Sequence, residues 1–214
     1  MASVKVVLFD YDGVLRDTRE LLFSSLEKAF IDLEQPVPSR QEMMPYMHHH
    51  KHIHGQFVEG VGLEKFEEVY FGHVYKGLST VDLYTGAREA LAELRGKYKL
   101  GIVSSANGAK QEIEAQGLGK FFDCIVGGLD TTEHKPHRAP VDRALELLGE
   151  SPEHAVMIGD LPTDIHAAKA AGLQAVIGIT TGLGQEDELQ KAGADHVIAE
   201  LNQLPELLKE IEQK

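Results

Sequence analysis

Val4-Lys5-Val6-Val7-Leu8-Phe9-Asp10-Tyr11-Asp12-Gly13-Val14-Leu15-Arg16-Asp17 is the stretch on which the fold turns. Its first half is a short, nearly continuous apolar run with β-branched residues, the pattern of a strand buried on both faces in a parallel sheet. Asp10 stands where that strand should stop, and Asp12-Gly13 signals a turn two residues later. In open α/β sheets, ligands bind in the crevice beyond the carboxyl ends of the strands. Two carboxylates one residue apart at such an edge can face a common point. The pair suits a hard cation such as Mg2+, and it lets one carboxylate attack while its neighbour moves a proton. A plain strand followed by an Asp-Gly turn with solvated acids looks the same over these residues, so the choice falls to the rest of the chain.

From Thr18 the period changes. Leu21, Leu22, Leu26, Ala29, Phe30 and Leu33 recur at helical spacing, and Pro36 and Pro38 are expected to end that helix. Arg40 to Tyr75 continues in helical pieces, with Leu63, Phe66, Val69 and Tyr70 as one apolar stripe. A helical block thus follows directly on the first strand and its turn, as a separate lobe over the strand ends would. Alternation resumes near Leu83. Helices are expected over 87–95, 109–116, 140–148, 163–171, 187–192 and from Pro205 onward. Strands are expected over 99–103, 122–126, 155–158, 175–179 and 196–198. The fold class is α/β: a Rossmann-like, doubly wound parallel sheet built from 1–16 and 83–214, with 17–82 as an inserted α-helical cap domain.

Composition narrows the function. The chain has 214 residues, 43% apolar and 26% charged, long enough to bury a core. A net charge of −13 with no basic run argues against a nucleic-acid binder, which needs Lys and Arg gathered on a face. It leaves room for a small phosphorylated substrate, because a bound cation can supply local positive charge. Cys124 is the only cysteine, so no intrachain disulfide can form; it reads as a buried thiol at a strand start. Neither a signal peptide nor a membrane-spanning run is visible, and a cytoplasmic protein, monomeric or homodimeric, is expected.

If the strands are parallel, the residues at their carboxyl ends share one edge. In order these are Asp10 and Asp12, then Ser104-Ser105, then Lys135 on a loop, then Asp160 and Asp164. Three acids can hold a divalent cation, a Ser hydroxyl with free backbone N–H groups can grip an anion, and a Lys can neutralise what charge is left. Pro162 is well tolerated at a first helical position, which puts Asp160 on the loop and Asp164 about one turn into the following helix. Taken singly, Ser104-Ser105 could be an N-cap, Lys135-Pro136 a solvated loop and Gly159-Asp160 a turn. Their chemically complementary order along one edge favours a site.

These residues make the chain resemble the haloacid dehalogenase superfamily of phosphotransferases over essentially its full length. The motifs are Asp-Tyr-Asp-Gly-Val-Leu at 10–15, Ser104 after Gly-Ile-Val, Lys135-Pro136 with Pro140 following, and Gly-Asp at 159–160 with Asp164. The helical block resembles the cap of the phosphoglycolate phosphatase and β-phosphoglucomutase branch, as do Gly-Ile-Thr-Thr-Gly at 178–182 and Ala-Gly-Ala-Asp-His-Val-Ile at 192–198. The resemblance implies a Mg2+-dependent phosphatase acting on a small phosphorylated metabolite. Asp10 would be the nucleophile and Asp12 the acid and base. Mg2+ would be held by Asp10, the Asp12 backbone carbonyl and Asp160, with Asp164 in support. Ser104, Ser105 and Lys135 would bind phosphate. A phosphomutase, or a non-catalytic binding protein on the same fold, is the alternative.

Two positions depart from the family pattern. Arg16 stands where an aliphatic residue is usual, and His137-Arg138-Ala139 replaces small residues. Each arginine reads as a surface ion-pair partner or as a substrate contact. The segment 48–54 holds five of the 11 histidines. It reads as a polar connection between cap helices, or as imidazoles that meet an anionic substrate or a transition metal.

Overall fold

The computed structural model describes residues 3–47 and 50–213, with His50 described by its backbone alone. The chain opens with β1 (Val6–Phe9), then runs through α1 (Arg19–Asp32), α2 (Arg40–Met43), α3 (His50–Phe57) and α4 (Leu63–Gly77). After these come α5 (Ala87–Leu94), β2 (Lys99–Val103), α6 (Ala109–Ala115), β3 (Cys124–Val126), α7 (Ala139–Leu148) and β4 (Ala155–Gly159). The last elements are α8 (Pro162–Ala171), β5 (Ala175–Ile179), α9 (Glu186–Lys191), β6 (His196–Ile198) and α10 (Leu204–Gln213). By chain path and contact the molecule divides into two compact units, Met1–Arg16 with Leu83–Lys214, and Asp17–Asp82.

In the first unit the six described strands form one parallel sheet in the order β3-β2-β1-β4-β5-β6. Every residue of β1 is fully buried, because helices cover both faces. Val7 and Phe9 face a layer with Leu91 and Leu94 of α5, Ile113 of α6 and Leu208 of α10. Val6 and Leu8 face the other layer, with Val141 and Leu145 of α7 and Ile165 and Ala168 of α8. Burying each such side chain contributes about 1.5–3 kcal/mol. A one-residue slip of β1 would send every one of them to the wrong layer, so its register is fixed. Cys124 opens β3, buried, with its thiol pushed up to about 12 by burial.

The second unit is all helical among its described residues. Its interior gathers Phe23, Leu26 and Phe30 of α1, Met43, Ile53, and Phe66 and Tyr70 of α4. The Phe66 ring lies 6.1 Å from Phe30 and 6.0 Å from Tyr70. Helix α1 ends at Asp32, before the prolines expected to stop it. Glu34 adopts a left-handed φ of 55°, and the Gln35 N–H reaches back to the Phe30 carbonyl at 2.8 Å, so the backbone closes its own end. The segment expected as a polar connection is largely α3. Within it His54 Nε2 lies 2.8 Å from the Val61 carbonyl oxygen, while His48 and His49 fall outside the described residues.

Candidate active site

Register brings the predicted residues together. Phe9 pairs with Ile102 of β2 on one side and Ile158 of β4 on the other. Asp10 is therefore flanked by the ends of both neighbouring strands, with Ser104 one residue beyond β2 and Asp160 one residue beyond β4. Strands lie about 4.8 Å apart, so three consecutive strand ends deliver their side chains to one small volume. The backbone tightens it: Asp10 N–H donates to the Ile158 carbonyl at 2.9 Å, and Ser104 N–H to Val126 at 2.9 Å.

Asp10, Asp160 and Asp164 are all buried, and each offers a carboxylate oxygen within 4.8 Å of the others. Among the described residues this is the one group of metal-ligating side chains so arranged. Lys135 enters from the loop after β3. Its Nζ lies 2.9 Å from Asp10 Oδ1 and 2.6 Å from Asp164 Oδ1, an ion pair with each, and donates to the Val103 carbonyl at 3.0 Å. Asp164 sits in the first turn of α8, where its Oδ2 accepts the Leu161 N–H at 3.0 Å and its charge suits the helix N-terminus.

The electrostatics follow from three acids and one base in a dry place. Burial, with help from the Asp164 and Asp12 charges, raises the Asp10 carboxyl to about 7, although Lys135 opposes the rise. Asp160 is pushed well above the usual carboxylate range, by burial first and then by Asp164 and Asp10. Burial alone would lower Lys135; the Asp10 and Asp164 charges outweigh it and hold the ammonium above its ordinary range. Among the described residues Asp160 Oδ1 is buried with neither a hydrogen-bond partner nor an ion-pair partner, whereas Asp164 Oδ1, which also lacks a hydrogen bond, has the Lys135 ammonium beside it. An orphan lone pair facing two further carboxylates fits a divalent cation, which would take oxygen ligands and cancel the surplus negative charge.

Sequence reasoning missed what closes the far side of the site. The loop after β5 wraps Asp160: Leu183 N–H donates to Asp160 Oδ2 at 2.9 Å, and Thr181 Oγ1 donates to the Gly13 carbonyl at 2.7 Å. A Cβ at Gly13 or at Gly182 would collide with the Asp160 carboxylate, and Gly13 also has a φ of 79°. Both positions need glycine for close approach. The signal was present as Thr-Thr-Gly-Leu-Gly immediately past a strand end.

The remaining expected residues are more dispersed. Ser104 is buried, with its Oγ accepting the Ala106 N–H at 3.1 Å, while Ser105 is exposed. The Asp12 carboxylate is bonded to Arg16 and lies outside the group of three buried acids. Arg16 is no surface residue. It is 1% exposed and lies between Asp12 and Glu112, a burial its charge gave no reason to expect. Arg138 is on the surface, paired with Asp142 at 2.6 Å.

A family model for haloacid dehalogenase-like hydrolases matches residues 7–177. The chain belongs to that family, and it is an enzyme. A pyrophosphatase PpaX of Bacillus mycoides is 31% identical over 98% of this chain and 99% of its own length. A phosphoglycolate phosphatase of Aquifex aeolicus is 33% identical over 82% of this chain and 85% of its own. Among solved structures, a putative β-phosphoglucomutase from Thermotoga maritima superposes with a TM-score of 0.74 at 25% identity, covering 97% of this chain and 99% of that one. A haloacid dehalogenase-like hydrolase from Streptococcus pneumoniae shares the fold, with a TM-score of 0.82 at 23% identity over 97% of this chain and 99% of that one. No helix among the described residues is long and apolar enough to cross a membrane.

Proposed function

We propose that this chain, as a phosphatase of that family, is a Mg2+-dependent cytoplasmic enzyme that hydrolyses a small phosphorylated metabolite through an aspartyl-phosphate. The observation that carries the reading is the Lys135 ammonium fixed between Asp10 and Asp164 beside the unpaired Asp160 oxygen. A phosphate dianion repels a carboxylate, so a carboxylate can attack only where positive charge is held in advance. Phosphoryl transfer then depends mainly on positioning and charge neutralisation.

Asp10 is the nucleophile. One of its oxygens bonds to phosphorus while the bond from phosphorus to the leaving oxygen breaks. The leaving oxygen keeps the electron pair and takes a proton from Asp12. Asp12 then takes a proton from water, whose oxygen bonds to phosphorus as the Asp10–phosphorus bond breaks. Inorganic phosphate leaves, and both carboxyl groups return to their starting states. Ser104, Lys135 and the Ser105 segment hold the transferring phosphoryl oxygens. Asp10, Asp160 and the Asp12 backbone carbonyl would hold Mg2+, with Asp164 orienting Lys135; the cation supplies charge neutralisation at the phosphoryl oxygens. The helical unit 17–82 serves as a cap that discriminates among leaving groups, and the working unit is a monomer or homodimer. Phosphoglycolate and sugar phosphates are the expected substrates, and the names of the relatives add pyrophosphate to the panel.

Asp10→Asn tests the chemistry. An amide of equal size is a poor nucleophile, so turnover of the best panel substrate should fall by at least ~10³-fold with the fold intact. More than a few per cent of residual activity in a clean preparation would sink the nucleophile assignment. Full activity in excess chelator would sink the metal scheme. Slow hydrolysis with rapid isomerisation of a hexose phosphate would select the phosphomutase reading instead.

A further inference from the structure

Arg16 heads the fully buried side chains of the described residues by size. Its Nε and Nη2 both donate to one oxygen, Asp12 Oδ1, at 2.9 and 2.7 Å. On the opposite side Nη1 pairs with Glu112 Oε2 of α6 at 2.5 Å, and the guanidinium carbon stands 4.6 Å from the centre of the Tyr11 ring. The backbone of the same residue is tied as well. Its N–H donates to the Tyr11 carbonyl at 3.1 Å, and its carbonyl accepts the Gly13 N–H at 2.9 Å. The turn from Tyr11 to Arg16 is thus closed twice, once by main chain and once by side chain.

Burying a guanidinium costs several kcal/mol even when it is paired, and an apolar side chain of similar volume would often stabilise a turn better. Its return is geometry. Two N–H donors of one rigid plane converging on a single oxygen fix where that oxygen sits, which the flexible point charge of a lysine does not. The Asp12 side chain is 32% exposed and would otherwise exchange rotamers. Proton transfer needs a donor held within about 2.6–3.2 Å of its target. Both Arg16 N–H groups engage Oδ1, so Oδ2 is the oxygen left for proton transfer.

We propose that Arg16, anchored at its far end by Glu112, is a positioning residue that fixes the Asp12 carboxylate for proton transfer, presenting Oδ2 first to the leaving oxygen and then to water. This rests on the phosphatase reading given above. Proton delivery matters for an alkyl leaving group and hardly at all for p-nitrophenolate, which departs as a stable anion. The selectivity between two esters therefore separates positioning of the acid from general loss of structure.

The experiment measures kcat/KM, which reports the steps up to transfer onto Asp10, for p-nitrophenyl phosphate and for an alkyl ester. The alkyl ester is phosphoglycolate or glycerol phosphate, whichever the wild type hydrolyses faster. Wild type, Arg16→Lys and Glu112→Ala are compared, with melting temperature alongside. Arg16→Lys keeps the charge and loses the fork; it should cut kcat/KM for the alkyl ester about tenfold more than for the aryl ester, a part of the 10²–10⁴-fold that acid catalysis contributes. Glu112→Ala, which leaves the Arg16–Asp12 pair in place, should shift selectivity in the same direction by less, and carries the test should Arg16→Lys not fold. Equal losses on both esters, or none on either, would overturn the role of Arg16. A wild-type protein that hydrolyses neither ester, nor pyrophosphate assayed beside them, would instead overturn the phosphatase reading, leaving the two failures distinct.

Discussion

The two units bury different things. The sheet unit buries Asp10, Arg16, Ser104, Asp160 and Asp164, whereas the only buried polar residues described in the helical unit are the neutral Thr18 and Ser25. Its interior is aromatic and aliphatic, the pattern a sequence adopts when stability is the only demand. The edge of the sheet does the opposite, crowding acids that repel one another and resist ionisation. Where a chain accumulates buried like charge against its own stability, function is the reason to look for.

The contrast can be broken most sharply at Asp160. Asp160→Asn keeps the size and the acceptor for Leu183 N–H but removes one crowded charge. Activity should fall by at least ~10³-fold. In chelator at pH 7 the melting temperature should rise by about 3–10 °C, since 1 kcal/mol corresponds to roughly 2–4 °C at this chain length. A lower melting temperature would mean that the acids are not crowded at all.

Phe66→Ala probes the other unit, where removal of a buried aromatic should cost about 3–5 kcal/mol. Denaturant unfolding would measure it, and turnover of p-nitrophenyl phosphate per folded molecule should change less than twofold. Loss of turnover in proportion to stability would tie the chemistry to the helical unit more closely than this comparison allows.

Acidity sharpens the comparison further. In the folded chain Asp10 holds its proton up to about pH 7, against an ordinary value of 3.8. Between those limits the folded state binds more protons than the unfolded state. Its contribution to stability is therefore complete at low pH and is lost as pH rises toward 7; Asp160, shifted the same way, adds to the loss. Thermal unfolding in chelator should show stability falling from about pH 4 to pH 7. Saturating Mg2+ should flatten that fall, adding about 2.7 kcal/mol at a hundredfold excess over Kd. A metal-free profile that rises over this interval would contradict the assigned shifts.

The smallest effect is expected in α3. Replacing His52 and His54 by Gln should leave p-nitrophenyl phosphate turnover within about twofold, because Gln can still reach the Val61 carbonyl. A tenfold drop in kcat/KM confined to a larger substrate would make these imidazoles substrate contacts.

Much of the sheet unit was legible because its signals are local. The apolar runs at 99–103, 175–179 and 196–198 stand where strands are found, and glycines past the helices stop them where expected. Parallel order then carries Asp10, Ser104 and Asp160 to one edge, so that much of the site follows from knowing where strands end. Arg16 was not legible, since burial of a cation depends on Glu112, nearly a hundred residues away in sequence, coming to meet it. The Asp160 clasp was missed for the same reason: a glycine pair reads as a turn until a carboxylate from another strand occupies the space a Cβ would fill. At α1, composition pointed to prolines as the stop, but a single left-handed glutamate ended the helix first.

Asp17 N–H donates to the Asp82 carbonyl at 3.0 Å, joining the two ends of the helical unit, and Arg16 bridges Leu83, joining the two cut ends of the sheet unit. Each unit is thereby a closed loop in its own right, entered and left at neighbouring points. Such an insert adds little loop-closure entropy, which grows only with the logarithm of length. It can be lengthened, trimmed or exchanged wholesale while the host sheet keeps its register. For evolution the consequence is modularity: the residues that perform a reaction can be inherited unchanged while the segment between 17 and 82 is rewritten. For the engineer it marks where to graft, with the seam at the Arg16–Asp17 and Asp82–Leu83 peptide bonds.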